Sequence, residues 1–169
     1  MSSLNESMQA YKEQLQEGRI IQAYQGLMAY FNGLRSHFEK KYPDFSVPGN
    51  IYYGYMDMTY FAIIPEFLAD RQLKIAVVFP HPAFRFEVWL AARNKKVQGR
   101  VWHEIQASGW DHYPLAPQGP GVDAILERVL VEDPDFNDLP GLTAAIEKGV
   151  LEFIQDLEEF LPSLDIDNK

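Results

Sequence analysis

The first forty residues repeat hydrophobic side chains every three or four positions, the spacing of amphipathic helices. The first stripe ends before Gly18, a residue suited to close a helix, and comprises Leu4, Met8, Tyr11 and Leu15. A second stripe ends before Pro43 and comprises Ile20, Tyr24, Leu27, Phe31, Leu34 and Phe38. This pattern predicts an N-terminal helical hairpin that packs against a sheet.

The centre of the chain changes to short runs rich in β-branched and aromatic residues, separated by turn residues. The predicted strands cover residues 51–55, 59–64, 73–79 and 84–91. The link between the last two strands is so short that they must be antiparallel. These runs predict an antiparallel meander, with the almost wholly apolar run 73–79 as its central strand.

Helical spacing returns after the strands. Residues 95–107 predict a helix, and the glycine- and proline-rich residues 109–121 predict a loop. Residues 122–131 fit helical spacing but are also rich in β-branched residues, so the pattern leaves helix and strand open. A final helix begins after Asp138, which can cap it, and ends before Pro162. Its predicted buried stripe comprises Leu142, Ile146, Val150, Phe153, Leu157 and Phe160.

Together these elements predict an α+β fold: an antiparallel β-meander sheet packed by an N-terminal helical hairpin and a long C-terminal helix. The 169 residues suit a single domain, with a core over about residues 4–161 and an acidic tail over 162–169. Within the last helix, Gly149 costs about 1 kcal/mol relative to alanine. That cost predicts that another backbone approaches closely there.

Composition narrows the possible chemistry. The sequence has no cysteine, which removes disulfides, thiolate nucleophiles and iron–sulfur clusters and suits a reducing cytoplasm. Its polar N-terminus does not resemble a secretory signal, and its apolar runs are too short for a transmembrane helix. We therefore expect a soluble, cytoplasmic protein with no membrane partner.

The net charge of −9 is concentrated in the C-terminal part of the chain, where residues from Glu132 onward include 11 acids and 2 bases. This acidity argues against nucleic acid as a partner. Basic residues cluster between Arg85 and Arg100, where five bases accompany one acid, Glu87. Any contact with a nucleotide or nucleic acid would lie there, although the wet face of a helix explains much of the cluster.

The run 84–91 contains the clearest candidate site. Strand alternation places Arg85, Glu87 and Trp89 on one face. The opposite, apolar face would carry Phe84, Phe86, Val88 and Leu90. Arginine could hold a carboxylate or phosphate, and tryptophan could stack on a ring. The alternative is a structural ion pair, because such pairs are common without any function.

A second set of candidates precedes this run. Tyr53, Tyr55 and Asp57 share a face if the first strand runs straight on, and Gly54 would let a ligand or neighbouring chain approach the backbone. Ordinary sheet packing explains the tyrosines equally well, and Asp57 suits a turn. With Lys74 from the central strand, the candidate ligand-binding residues are Tyr53, Tyr55, Asp57, Lys74, Arg85, Glu87 and Trp89.

Nearly the whole chain, from about Tyr11 to Leu161, carries distinctive segments that include IYYGYMDMTYF, LKIAVVF, FRFEVWLAARNK, GWDHY and VEDPDF. These segments resemble a family of small bacterial proteins described as a domain of unknown function. The resemblance implies a stand-alone, cytoplasmic bacterial protein and implies no activity, cofactor or catalytic residue. The strand–strand–helix order is also loosely similar to small domains associated with restriction nucleases, but Trp89 stands where the nuclease arrangement needs lysine.

We expect a non-catalytic ligand-binding or regulatory module that holds a small anionic or aromatic ligand on the sheet face. One alternative is a divergent metal-dependent phosphodiesterase or nuclease-like enzyme that uses Asp57, Lys74 and Glu87. Another is a homo-oligomeric interaction protein, such as a homodimer, that assembles through the aromatic face or an edge strand. The four histidines lack the paired spacing of metal sites, so the sequence indicates neither a metal nor a cofactor.

Overall fold

The computed structural model describes residues 1–164, so most of the predicted acidic tail lies outside the described residues. The helices are α1 (Leu4–Glu17), α2 (Arg19–Lys41), α3 (Glu66–Ala69), α4 (Lys95–Ser108) and α5 (Leu139–Phe160). A 3-10 turn, Leu161–Ser163, follows α5. The strands are β1 (Met58–Ile63), β2 (Leu73–Pro80), β3 (Phe86–Ala92) and β4 (Ala124–Val131).

The four strands form one antiparallel sheet in the order β1-β2-β3-β4. The predicted α+β fold and its meander are therefore confirmed. Of residues 122–131, which the sequence left open between helix and strand, Ala124–Val131 form β4 and none forms a helix. A strand is favoured there because β3 supplies a hydrogen-bonding edge, which outweighs the weak local preference for helix.

Isolated bridges cover part of both sheet edges. Tyr52 pairs with Tyr60 along β1, and Leu115 pairs with Leu126 along β4. The predicted first strand, 51–55, is thus reduced to a single bridge. Gly54 and Met56 both have positive φ angles, 77° and 62°, so the chain turns sharply there and cannot continue as a strand.

Helices α2 and α5 cover the same face of the sheet. Phe61 lies on this face, in the cross-strand row that runs through Val77 and Val88 to Arg128. The Phe31 ring of α2 lies 6.2 Å from that of Phe61, and Arg128 donates a hydrogen bond to the Gly149 carbonyl of α5 at 3.1 Å. One continuous hydrophobic core fills the space between the helices and the sheet.

A partly buried carboxylate ties α2 to α5. Glu147 of α5 accepts hydrogen bonds from Tyr42 and from His37 at 2.9 Å, and it pairs with Lys41 at 2.7 Å. Burial alone would raise the pKa of Glu147, but the hydrogen bonds from Lys41, Tyr42 and His37 lower it to about 2. Glu147 is therefore charged at neutral pH and joins the C-terminal end of α2 to α5.

The ends of α5 follow the sequence expectation, but its glycine does not. The Asp138 side chain accepts a hydrogen bond from the Gly141 N–H at 3.0 Å and caps the helix. A Cβ atom on Gly149 would lie 2.5 Å from the Leu130 side chain of β4. The close neighbour of Gly149 is thus a side chain, and the prediction of an approaching backbone is wrong.

Helix α1 behaves differently from α2. Gly18 closes it in the left-handed conformation, with φ 79° and its N–H bonded to the Leu15 carbonyl at 3.1 Å, as predicted. However, α1 buries none of its residues, and its stripe positions Leu4, Met8 and Tyr11 are exposed. Only α2 of the two N-terminal helices contributes buried residues to the core.

The apolar face predicted for the run 84–91 also differs at its first position. Phe84 has a positive φ of 53° and is exposed, so it belongs to the turn before β3. Phe86, Val88 and Leu90 are fully buried, as alternation predicts.

Among residues 1–164, no helix combines the length and apolarity needed to cross a membrane.

Candidate functional site

The sheet face opposite α2 and α5 contains an open pocket of about 270 Å³. Small side chains form part of its wall, because Ala76 and Ala91 lie between bulkier residues of β1, β2 and β3. Alternation along the strands projects Tyr60, Lys74 and Trp89 from this same face. The polar and aromatic residues around the pocket are Tyr60, Lys74, Trp89, Arg93, Asn94, Lys95, Gln98 and Asp123.

A chain of hydrogen bonds fixes the Trp89 indole at one side of the pocket. Its Nε1–H donates to Glu87 Oε1 at 2.9 Å, and Arg85 Nε donates to Glu87 Oε2 at 2.9 Å. Arg85 also contacts Glu132 at 3.1 Å. Arg85, Glu87 and Trp89 therefore project together, but Arg85 is neutralised by two carboxylates and orients the indole through Glu87.

Lys74 is one of two cations in the pocket that form no ion pair with a described residue. Among residues 1–164 it forms no ion pair, and its Nζ lies 5.7 Å from the centre of the Tyr60 ring. Burial, and then the Asp123 charge, raises the pKa of Tyr60, so its hydroxyl stays protonated. The cation–π contact holds Lys74 beside the pocket without consuming its hydrogen-bond donors.

Two further cations lie where α4 begins. Lys95 pairs with Asp123 at 3.0 Å, whereas the exposed Arg93 forms no ion pair with any described residue. The pocket is thus lined by three cations and one carboxylate in a chain whose net charge is −9. This local excess of positive charge favours an anion.

The predicted tyrosine candidates do not join the pocket lining. Asp57 Oδ1 accepts the Tyr55 N–H at 2.8 Å, and the Tyr53 carbonyl accepts the Thr59 hydroxyl at 2.8 Å. That backbone hydrogen bond from Tyr55 lowers the pKa of Asp57. Tyr55 is 92% exposed. Tyr53, Tyr55 and Asp57 therefore form a turn before β1.

Gly54 has an internal reason for lacking a side chain. With φ 77°, its Cβ would lie 2.1 Å from the Met58 carbonyl oxygen. The backbone that approaches Gly54 thus belongs to its own turn. The position does not require a ligand or a neighbouring chain.

The residues proposed for a phosphodiesterase do not converge. Glu87 pairs with Val78, whereas Lys74 pairs with Ala91, an offset of four residues or roughly 13 Å along the strands. Asp57 lies outside the sheet, in the turn described above. Within the described part of the chain, no group of three His, Asp or Glu side chains could hold a metal ion.

A second cleft, of about 520 Å³, lies between α5 and the loop that precedes β4. Its polar groups are already paired with one another. His112 contacts Asp156 at 3.1 Å, Arg128 contacts Glu152 at 2.7 Å, and the Tyr113 hydroxyl donates to Asp156. Burial and that hydrogen bond raise the pKa of Tyr113 to about 12. These pairings therefore link the loop before β4 to α5 across the cleft.

The candidate list from the sequence left out most polar contributors to the pocket: Tyr60, Arg93, Asn94, Lys95, Gln98 and Asp123. Gln98 and Asp123 reach it only because α4 and the following loop fold back beside the sheet, a contact that no local pattern predicts. Tyr60 lies in β1, on the strand that the sequence predicted over residues 59–64. Its alternation with Phe61 could have placed it on the pocket face. Alternation along β2 also connects Lys74 to Ala76, a small residue that leaves room for a ligand.

Residues 4–161 match a protein family across nearly the whole chain. The chain belongs to the DUF7000 family. The family is described as a domain of unknown function. This match confirms the resemblance to such a family that the sequence segments indicated. No curated protein and no solved structure matches this DUF7000 chain.

Proposed function

We propose that the protein is a ligand-binding module that holds a small, anionic, aromatic molecule in the pocket on the open sheet face. The observation that carries this proposal is the position of Lys74, a half-buried cation without an ion-pair partner among the described residues. It lines the same pocket as the indole of Trp89 and the ring of Tyr60. An anion would pair with the ammonium while a planar ring packs on the aromatic surfaces.

The electrostatics of the pocket support this ligand class. Arg93 adds a second unpaired cation among the described residues, and Lys95 is already neutralised by Asp123. Both Lys74 and Arg93 can therefore contribute attraction to a carboxylate or phosphate.

The rigidity and size of the pocket support it as well. The Trp89 indole is held by Glu87, which is 5% exposed and is held in turn by Arg85. A ring that is fixed before binding loses little conformational freedom when a ligand stacks on it. The volume of about 270 Å³ falls just below the range typical of drug-sized ligands, so the ligand is small.

A thermal-shift screen of aromatic carboxylates and aryl phosphates, followed by calorimetry, tests the proposal. A ligand present at about 100 times its Kd adds roughly 2.7 kcal/mol to the free energy of unfolding. We expect Lys74→Met to weaken binding of any hit at least about tenfold, because it removes the charge while keeping most of the apolar stem.

Lys148→Met provides the matched control. Lys148 is a largely exposed lysine on α5, which covers the opposite face of the sheet. It should leave ligand affinity unchanged. Equal losses in Lys74→Met and Lys148→Met, or a panel without any binder, would reject the proposal.

We also propose that the protein works in the cytoplasm and that its ligand is a small molecule. The absence of cysteine supports a reducing compartment. The net charge of −9 disfavours contact with a nucleic acid backbone. Fractionation of cells that express the tagged chain would test the location.

A further inference from the structure

Gln98 is a buried amide at the wall of the pocket. It lies in the first turns of α4, is 6% exposed and lines the pocket together with Lys74 and Trp89. Its Nε2 donates two hydrogen bonds, to the Val122 carbonyl at 2.9 Å and to Gln118 Oε1 at 2.8 Å. Both amide hydrogens are therefore used.

The orientation of this amide is fixed by its neighbours. Gln118 donates its own Nε2 hydrogens to the carbonyls of Ala116 and Ala124, at 3.1 Å each, so its Oε1 must accept. The Val122 carbonyl can only accept. A flipped Gln98 would bring its oxygen against two acceptors, which excludes that arrangement.

The consequence is a hydrogen-bond acceptor held ready at the pocket. Gln98 Oε1 accepts no hydrogen bond from any of residues 1–164, although the residue is more than nine-tenths buried. The oxygen is not among the fully enclosed unpaired atoms, so solvent reaches it. A ligand that supplies an N–H or O–H can replace that water, whereas a ligand that presents an acceptor leaves the oxygen unpaired on binding. The two pocket cations without an ion pair among the described residues, Lys74 and Arg93, are donors only and cannot act as this acceptor.

We infer that Gln98 determines specificity by selecting ligands that carry an N–H or O–H donor on the planar ring, in addition to the anionic group. The inference depends on the proposed function, because it concerns the same pocket. The anion pairs with Lys74, the ring packs on Trp89, and the donor faces Gln98 Oε1. An aromatic carboxylate with a ring N–H has this combination of groups.

Matched probes test the inference with the wild-type chain. Indole-2-carboxylate and indole-3-carboxylate carry a ring N–H, and the corresponding benzofuran carboxylates replace it with an oxygen acceptor. We expect at least one indole acid to bind about tenfold or more tightly than its benzofuran counterpart, measured by calorimetry. Equal affinities within both pairs overturn the inference while leaving the proposed function standing.

A variant pair assigns the discrimination to Gln98. Gln98→Met should abolish the preference for the indole acid, whereas Gln106→Met, at an exposed position of the same helix, should retain it. Persistence of the preference in Gln98→Met overturns the inference. If Gln98→Met does not fold, the probe pairs on the wild-type chain decide alone. Failure of all four probes to bind, with no Lys74-dependent hit in the wider screen, rejects the proposed function itself.

Discussion

Glu87 is a carboxylate inside the sheet face, and both of its oxygens are occupied. One accepts from the Trp89 indole and the other from Arg85, and the side chain is almost inaccessible to water. A buried charge is tolerated only when it is paired and hydrogen-bonded. The same contacts that satisfy Glu87 therefore also set the orientation of the ring that we expect to meet the ligand.

Removing the partner of Glu87 should be costly. We expect Arg85→Met to lower the free energy of unfolding by about 1–3 kcal/mol, because it leaves the carboxylate with a single hydrogen bond. The control is Arg35→Met, which breaks a pair with the half-exposed Glu39 and should cost about 0.5 kcal/mol. Urea denaturation measures both. Equal losses for the two variants would contradict the role given to Arg85.

The contact between Gly149 and Leu130 gives a second prediction at this scale. Alanine at position 149 gains about 1 kcal/mol of helix propensity, but its Cβ meets the Leu130 side chain. We expect Gly149→Ala to stabilise the protein by about 1 kcal/mol only in a Leu130→Ala background. Thermal unfolding of the four chains in this double-mutant cycle measures the coupling. The same gain in both backgrounds would show that the contact imposes no constraint.

Glu147 acts at the scale of elements, because it joins α2 to α5. Its folded-state pKa of about 2 lies below its ordinary value of 4.5. The carboxylate therefore contributes stability that is fully present above about pH 4.5 and is lost as the pH falls toward 2. The linkage belongs to the packing of the two helices and is independent of the pocket.

Denaturation as a function of pH tests this linkage. Glu147→Gln should lower the free energy of unfolding at pH 7 by about 1–3 kcal/mol, and the difference from wild type should shrink between pH 4.5 and pH 3. Glu39→Gln, at a half-exposed carboxylate on α2, provides the control and should run nearly parallel to wild type. A Glu147→Gln curve parallel to wild type throughout would contradict the assignment.

The elements themselves show how far sequence reasoning reaches. Alternation in the run 84–91 correctly placed Glu87 and Trp89 together, because a strand's side-chain period is fixed by its backbone. It failed at Phe84 and at residues 51–55, where positive φ angles at Phe84, Gly54 and Met56 break the strand. Local composition does not reveal such turns, since only one of these residues is glycine.

The pocket was less predictable than the strands. Lys74 and Trp89 could be assigned to one face from alternation once the two strands were paired. Gln98 could not be found in this way, because its role depends on Gln118 and Val122, which lie 20 and 24 residues downstream in a loop. Specificity of this kind arises from tertiary hydrogen bonds and has no local sequence signature.

At the scale of the whole molecule, α1 stands apart from the core. It has a capping box, in which the Glu6 N–H donates to the Ser3 side chain at 3.2 Å and the Ser3 N–H donates to Glu6. Gly18 closes its other end. Local interactions therefore support the helix, while none of its residues is buried against the rest of the described chain.

Truncation measures what α1 contributes. A variant that begins at Gly18 retains the Gly18 carbonyl that accepts the Gln22 N–H, so α2 keeps its first turn. We expect its free energy of unfolding to change by less than about 1 kcal/mol, because little apolar area is lost from the core. Phe31→Ala, at a fully buried position of α2, should cost about 3–5 kcal/mol under the same urea denaturation.

The exposed stripe of α1 could be buried between two copies of the chain. The truncation therefore also tests whether α1 forms such an interface. Such an interface would make stability depend on protein concentration and would be lost with α1. We expect the midpoint of urea denaturation to be the same over a hundredfold range of concentration, with and without α1. A concentration-dependent midpoint that disappears on truncation would instead establish α1 as a contact between copies and would support a homodimer that forms through this helix and not through the sheet.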